Sequence, residues 1–187
     1  MAFFGVTLEE IEEIRSHPNA DRLDICKLKD MDFQFVIGKD SYNVGEKVLY
    51  FPVDSLFPFK LMEILDLTQE KERNGQRVIE GKLSGRNHNR LKTIRLRSEI
   101  SQGLIASVDI LGKLPYRDQS IQEFAGDMDI YDPEVLTQYL CIEKYEIQNS
   151  EDVNEKYKRS VKKGNIFKRI FNSYYYYLYN FNYSMDR

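Results

Sequence analysis

The sequence has few of the residues that build covalent or metal-linked structure. Its 187 residues include two cysteines, two histidines and no tryptophan. Cys26 and Cys141 are far apart and form no Cys-x-x-Cys pair, and with only His17 and His88 beside them no standard zinc spacing arises. The sequence therefore argues against a zinc module, and we expect two reduced thiols, as is typical of cytoplasmic proteins.

Long apolar runs are missing as well. The first residues lead directly into Glu9 and Glu10 and lack the basic start and apolar core of a signal peptide. No stretch is long and apolar enough to cross a bilayer. We therefore expect a cytoplasmic protein that has no membrane partner. The net charge of −3 excludes a uniformly basic surface, so any contact with nucleic acid has to use a local patch.

Residues 82–97 form such a patch. Positive charges alternate with leucines and isoleucines from Arg90 onward, and no acidic residue occurs between Glu80 and Glu99. This pattern predicts a basic β-strand with Arg95 and Arg97 on one face. A local basic surface suits a polyanion such as RNA, and a solvated strand face accounts for the charges equally well. The candidate nucleic-acid-binding residues in this patch are Lys82, Arg86, Arg90, Arg95 and Arg97.

A sixth candidate, His17, opens the sequence His17-Pro-Asn-Ala-Asp21. Pro18 favours an extended conformation for His17, and the Asn and Asp side chains favour a tight turn. One interpretation is a structural loop between two strands. The other is a loop whose histidine contacts nucleic acid.

Short apolar segments with turn residues between them predict a mainly β protein with short helices, arranged as a small barrel. Leu8, Ile11 and Ile14 have helical spacing, but their neighbours are strand-like, so we expect part of this segment to be a strand. Asp132 and Pro133 are typical of a helix start. Further predictions are strands at 24–29, 33–37, 47–53 and 103–108, a helix at 59–65, a polar loop at 68–77 and irregular chain at 112–131.

Motifs for catalysis are absent. The segment from Gly75 to Lys82 superficially suggests a phosphate-binding loop, but five residues separate Gly75 from Gly81, and Leu83 stands where Ser or Thr would ligate magnesium. Two cysteines and two histidines give no signature of a nucleophile–base pair.

Six short segments, in this order and at similar spacing, resemble the N-terminal OB-fold module of ATP-dependent RNA ligases that seal nicks. The resemblance covers residues 8–146. It implies an OB-fold-like five-stranded β-barrel with a C-terminal helical or irregular extension, and RNA or a nicked RNA-containing duplex as the partner. The segments are Ala20-Asp-Arg-Leu23, Val44-Gly-Glu-Lys-Val-Leu-Tyr50, Asp54-Ser-Leu-Phe-Pro58, Leu91-Lys-Thr-Ile-Arg-Leu-Arg97, Ser101-Gln-Gly-Leu104 and Leu140-Cys-Ile-Glu-Lys-Tyr-Glu146.

The sequence also departs from that family. Members carry a lysine in a Lys-x-Asp-Gly motif that takes the adenylate from ATP, with Mg²⁺ as the metal, and no lysine here has Asp at +2 and Gly at +3. We therefore expect no cofactor, no catalytic residue and no self-adenylation in this chain, and activity only with a ligase catalytic domain supplied in trans. Ser98 and Ile147 stand where the family has glycine and proline.

Two alternatives remain. The loop at 17–23 and the turn at 101–103 are closer to tRNA-binding OB domains of aminoacyl-tRNA synthetases, and a protein-interaction OB domain is a third possibility. We predict three regions: an OB-fold nucleic-acid-binding domain at 1–110, a linker with a short helix at 111–150, and a basic, tyrosine-rich tail at 151–187. The tail is either a lineage-specific extension or the product of a frameshift or truncation.

Overall fold

The computed structural model describes residues 4–73, 75–114 and 119–146. The predicted tail at 151–187 lies outside these residues. The helices are α1 (Phe59–Ile64), α2 (Ile121–Ala125) and α3 (Pro133–Tyr139), with a 3₁₀ turn at Val108–Gly112. The strands are β1 (Thr7–Ser16), β2 (Leu23–Leu28), β3 (Gln34–Gly38), β4 (Lys47–Phe51), β5 (Ser55–Leu56), β6 (Thr68–Arg73), β7 (Gln76–Gly81), β8 (Ile94–Leu96), β9 (Glu99–Ser101), β10 (Leu104–Ser107) and β11 (Glu143–Lys144).

Five strands form the main sheet in the order β10-β4-β1-β2-β3, and each neighbouring pair is antiparallel. This confirms the predicted mainly β fold with short helices and a five-stranded barrel sheet. The strands predicted at 24–29, 33–37, 47–53 and 103–108 are β2, β3, β4 and β10, displaced at their ends by one or two residues.

The helical spacing at the start of the chain is explained by a β-bulge. The register of β1 against β2 shifts between Ile11 and Glu13, so that Ile11 pairs with Leu28 and Ile14 pairs with Cys26. One extra residue in the strand places Ile11 and Ile14, three positions apart, on the same side of the sheet. Both contribute to the barrel interior. The expectation that tertiary contacts make this segment a strand is confirmed.

The sheet has an apolar core on each side. The barrel interior contains Ile11, Leu28 and Phe35, all at most 1% exposed. The other core lies between the sheet and the helices. Helix α3 begins as predicted, because the Asp132 carboxylate accepts hydrogen bonds from the backbone N–H groups of Glu134 and Val135.

Two loop predictions were wrong. The polar segment at 68–77 belongs to a hairpin of β6 and β7, in which Lys71 forms an ion pair with Glu80 across the strands. The segment at 112–131 contains α2, whose start is a capping box formed by Ser120 and Glu123. The hairpin was missed because its cross-strand contacts are polar, whereas α2 does carry an apolar face, in which Ile121, Phe124 and Ala125 have helical spacing and pack on the core.

Candidate nucleic-acid interface

The predicted cationic residues lie in one insertion of the barrel, residues 52–103, which connects β4 to β10. We call residues 82–97 the basic segment. Regular strand occupies only Ile94–Leu96 of it, which pairs with Glu99–Ser101 to form the β8–β9 hairpin. The predicted continuous basic strand is therefore wrong. The chain before Ile94 is instead held by backbone hydrogen bonds between Arg90 and Ser84 in both directions, each of 2.9 Å.

The turn of the β8–β9 hairpin places two of the candidates differently from the prediction. Arg97 and Ser98 have φ angles of +47° and +81°, as expected for a two-residue hairpin turn in which both central residues are left-handed. Arg97 is thus in the turn and does not share a strand face with Arg95. Arg95 lies opposite Ile100 on the exposed face of the hairpin. Ser98 occupies a position that favours glycine.

Four cations of the basic segment are exposed: Arg86, Lys92, Arg95 and Arg97. Within the described ranges, none of their side chains has a hydrogen bond or an ion pair. Lys82 is also exposed, but its Nζ donates to the backbone oxygen of Asp66 at 2.8 Å and lies 3.5 Å from the Asp66 carboxylate. The four unpaired cations are the groups best able to meet an external anion.

Arg90 is held within the protein. Its Nε and Nη2 donate to Oδ1 of Asp54 at 2.9 and 2.7 Å, and its guanidinium carbon lies 3.5 Å from the centre of the Tyr145 ring. Charge-assisted hydrogen bonds and a cation–π contact together fix this side chain, which is 20% exposed. Arg90 therefore ties the basic segment to Asp54, just before β5, and to Tyr145, just after β11, and its first role is structural.

His17 also has a structural role. The ring is 6% exposed, Nε2 donates to the Leu96 carbonyl at 3.1 Å, and Nδ1 accepts from the Asn19 backbone N–H at 3.0 Å. The Asn19 side chain donates to the Arg97 carbonyl at 3.3 Å. Both ring nitrogens are thus occupied, and the geometry supports the structural-loop interpretation. The loop between β1 and β2 holds the tip of the β8–β9 hairpin in place.

Aromatic rings can stack on bases, but the four aromatic residues in and beside the barrel strands are mostly internal. Phe35 and Phe51 are at most 1% exposed, so stacking on these two rings is excluded in this arrangement. Phe33 and Tyr50 are half-buried and pack with each other and with Phe35 at ring-centre distances of 5.5–5.9 Å. Gly103 makes this packing possible, because a Cβ there would lie 2.5 Å from the Tyr50 ring and 2.8 Å from the Phe51 carbonyl.

A groove of about 380 Å³ lies where the barrel sheet is left open, between the free edges of β3 and β10. We call it the seam groove. Its lining includes Lys82, Arg90 and Lys92 from the basic segment, together with Ile94 and Tyr42. Sequence analysis missed the last two, because the groove brings together segments that are distant in the chain. Burial raises the pKa of the Tyr42 hydroxyl, so it remains a neutral donor, directed at the Ile105 carbonyl 3.5 Å away.

The part of the chain that the structure describes offers no group of three or more His, Cys, Asp and Glu residues that would hold a metal ion. Burial raises the pKa of the Cys26 thiol to about 11, which keeps it protonated and unreactive at neutral pH. Among the same residues, no helix has the length and apolar character needed to cross a membrane.

Comparison with known families agrees with this architecture. A family profile described as an OB-fold domain matches residues 5–108, which include the whole five-stranded sheet. The chain therefore belongs to this OB-fold family.

Individual relatives are larger proteins. Naegleria gruberi RNA ligase with PPi is similar in structure, with a TM-score of 0.51 and 24% identity over 80% of this chain and 37% of that chain. A lysine-to-methionine mutant of the same ligase with AMP and Mn gives a TM-score of 0.50 and 26% identity over 75% of this chain and 35% of that chain. The phenylalanine–tRNA ligase beta subunit of Halalkalibacterium halodurans is 26% identical over 135 residues, 70% of this chain.

The chain spans 13% of that synthetase subunit and a little over a third of the RNA ligase. The predicted OB fold and the predicted resemblance to RNA ligases and synthetases are confirmed.

Proposed function

We propose that this chain is an RNA-binding OB module of an RNA ligase-like protein, and that it contacts RNA or a nicked RNA-containing duplex through the basic segment. The observation that carries the proposal is the set of four exposed, unpaired cations at residues 86–97, in a stretch without acidic residues. Cations of this kind position a phosphate backbone and release counterions when they bind it.

The place of the basic segment in the barrel supports this function. OB folds bind nucleic acid beside the loops that connect strands 1 to 2 and strands 4 to 5 of the barrel. Here the first of these loops contains His17 and Asn19, the second is the 52–103 insertion, and hydrogen bonds from both residues join the two. His17 thus acts as a positioning residue for the hairpin tip that carries Arg97, and Arg90 fixes the middle of the segment.

Joining of a 3′-hydroxyl to a 5′-phosphate requires more than this module. We propose that the chain assists such a reaction only with a catalytic domain supplied elsewhere, which would bring the ATP and Mg²⁺ chemistry that the resemblance implies. We retain the division into a binding domain at 1–110, a linker with a helix at 111–150 and a tail from 151 as part of this proposal.

A second candidate function is binding of tRNA. It is favoured by the match to the phenylalanine–tRNA ligase beta subunit over 135 residues. Both candidates use the same fold and the same cations, and they differ in the shape of the RNA that is preferred.

Binding of a fluorescently labelled nicked RNA–DNA duplex by the full chain tests the proposal. Between about 50 and 200 mM salt, we expect the affinity of the unmodified chain to fall steeply. The double variant Arg95→Ala plus Arg97→Ala loses two phosphate contacts, so we expect the slope of log K against log salt to become shallower by roughly 1.4–1.8. The matched control is Lys47→Ala plus Lys113→Ala, which removes two exposed lysines outside the basic segment and is expected to leave the slope unchanged.

Three results would count against the proposal. Absence of binding at low salt would favour the protein-interaction alternative. Equal slopes for the two double variants would remove the basic segment from the interface. Displacement of the duplex by a tRNA transcript at much lower concentration than by unlabelled duplex would favour the tRNA-binding candidate.

A further inference from the structure

The seam groove exists because the barrel closes at one end only. The Val36 N–H donates to Ser101 Oγ at 3.1 Å, and the Gln102 N–H donates to the Gln34 carbonyl at 3.1 Å. Beyond this point, in the ranges that the structure resolves, no backbone hydrogen bond joins β3 to β10. The gap between the two edges is occupied by the groove.

The lining of the groove is apolar below and cationic at the rim. Ile37, Leu104 and Ile105 contribute apolar surface, and the exposed ammonium groups are those of Lys92, which is unpaired, and Lys82, which is paired with Asp66. No carboxylate is found among the described residues that line it. Its volume lies in the range of roughly 300–1,000 Å³ that is usual for small-ligand sites.

Ile94 is the most informative residue of this lining. It is 46% exposed although it is a large apolar residue, and it faces the groove beside Lys92. Ile100, on the same hairpin, is 40% exposed and lies on the opposite face, outside the groove. An exposed apolar side chain next to a cation suits a nucleotide, because the apolar side chain can contact the flat base and the cation can contact the phosphate.

We propose that the seam groove receives one unpaired nucleotide of a bound nucleic-acid strand, with its base against Ile94 and the apolar surface and its phosphate near Lys92 and Lys82. The inference rests on the proposed function and specifies the form of the ligand. The nucleotide has to be unpaired, because a base within a duplex is stacked between its neighbours and cannot enter a separate pocket.

The test compares two nicked RNA–DNA duplexes that are identical except for one additional unpaired nucleotide at the nick. We expect the full chain to bind the duplex with the unpaired nucleotide about tenfold more tightly, the magnitude of one base stacked on protein. Ile94→Asp is expected to abolish this preference, and Ile100→Asp, the matched control, is expected to keep it. Lys92→Ala, at an exposed position, is expected to reduce the preference without disturbing the fold.

Each outcome has a distinct meaning. Equal affinity of the unmodified chain for both duplexes would overturn the groove proposal and leave the proposed function standing. Equal loss of preference in Ile94→Asp and Ile100→Asp would also overturn it. Failure to bind either duplex at low salt would overturn the proposed function itself.

Discussion

The barrel strands and the 52–103 insertion are stabilised in different ways. In the barrel, strands of four to ten residues pair with their neighbours along continuous ladders with one bulge in β1, and the interior side chains are almost completely buried. In the insertion, strands have two to six residues, and left-handed turns occur at Asp54, Asp66, His88, Arg97 and Ser98. Its segments are joined by isolated backbone hydrogen bonds, such as those between Arg90 and Ser84, and by side-chain contacts such as that of Arg90 with Asp54.

This difference gives charge a different meaning in the two regions. The glutamates at 9, 10, 12 and 13 lie on β1, a central strand that also contributes to the cores, so they solvate the outer surface of a structural element. The cations of the basic segment lie on short elements that border a groove and have no structural partner except at Lys82 and Arg90. Of the two sets of charges, only the cations border a groove and have the sign that attracts a phosphate backbone.

Truncation of a barrel core residue is expected to have the largest effect on stability. Ile11→Ala removes a side chain that is 1% exposed in the barrel interior, and we expect the free energy of unfolding to fall by about 2–5 kcal/mol. Urea denaturation followed by circular dichroism measures this. The exposed neighbour Glu12→Ala is the control and is expected to change stability by less than about 0.5 kcal/mol. Similar losses for both variants would contradict the assignment of β1 to the core.

A smaller effect is expected at Gly103, where the insertion joins β10. Its φ is +105°, and a Cβ at this position would lie 2.5 Å from the Tyr50 ring, so Gly103→Ala is both strained and overpacked. Gly45 has a φ of +82° with open space around it, so Gly45→Ala carries the backbone strain alone. We expect Gly103→Ala to be less stable than Gly45→Ala by about 1–3 kcal/mol in thermal and urea denaturation. Equal destabilisation would show that the seam tolerates a side chain.

The sequence predicts the elements that depend on interactions between residues close together in the chain, and it misses those that depend on distant partners. Strands β2, β3, β4 and β10 follow from local apolar and β-branched residues, and the start of α3 follows from Asp132 and Pro133. The β6–β7 hairpin was missed because its cross-strand pairs, such as Lys71 with Glu80, are polar. The position of Arg97 depends on a turn in which Ser98 takes the conformation usual for glycine.

The candidate site was predicted in part. The cationic residues are contiguous in sequence, so their clustering could be seen directly. The structural roles of His17 and Arg90 could not, since their partners Leu96, Asp54 and Tyr145 lie 36 to 79 positions away. The seam groove depends on the edges of β3 and β10, which local patterns do not relate to each other.

The smallest expected effect on stability comes from a buried thiol in the barrel interior at high pH. Because burial raises the pKa of Cys26 from 9.0 to about 11, the unfolded chain loses this proton more readily than the folded one. The contribution of the neutral thiol to stability is therefore complete below pH 9 and is lost as pH rises through about 11. In a Cys141→Ser variant, we expect iodoacetamide to leave Cys26 unlabelled at about pH 9 in buffer and to label it in urea, as measured by mass spectrometry. Equal labelling rates in both conditions would show that the interior is open.

The most direct test of the central claim is a map of the surface that nucleic acid contacts. A ¹⁵N-labelled sample of the full chain would be titrated with the nicked RNA–DNA duplex, and changes in amide chemical shift would be followed by NMR. We predict the largest changes between residues 82 and 104 and in the loop at 17–22, with little change along β1. Changes confined to the helices α2 and α3, or no changes at low salt, would contradict the assignment of the insertion as the nucleic-acid interface.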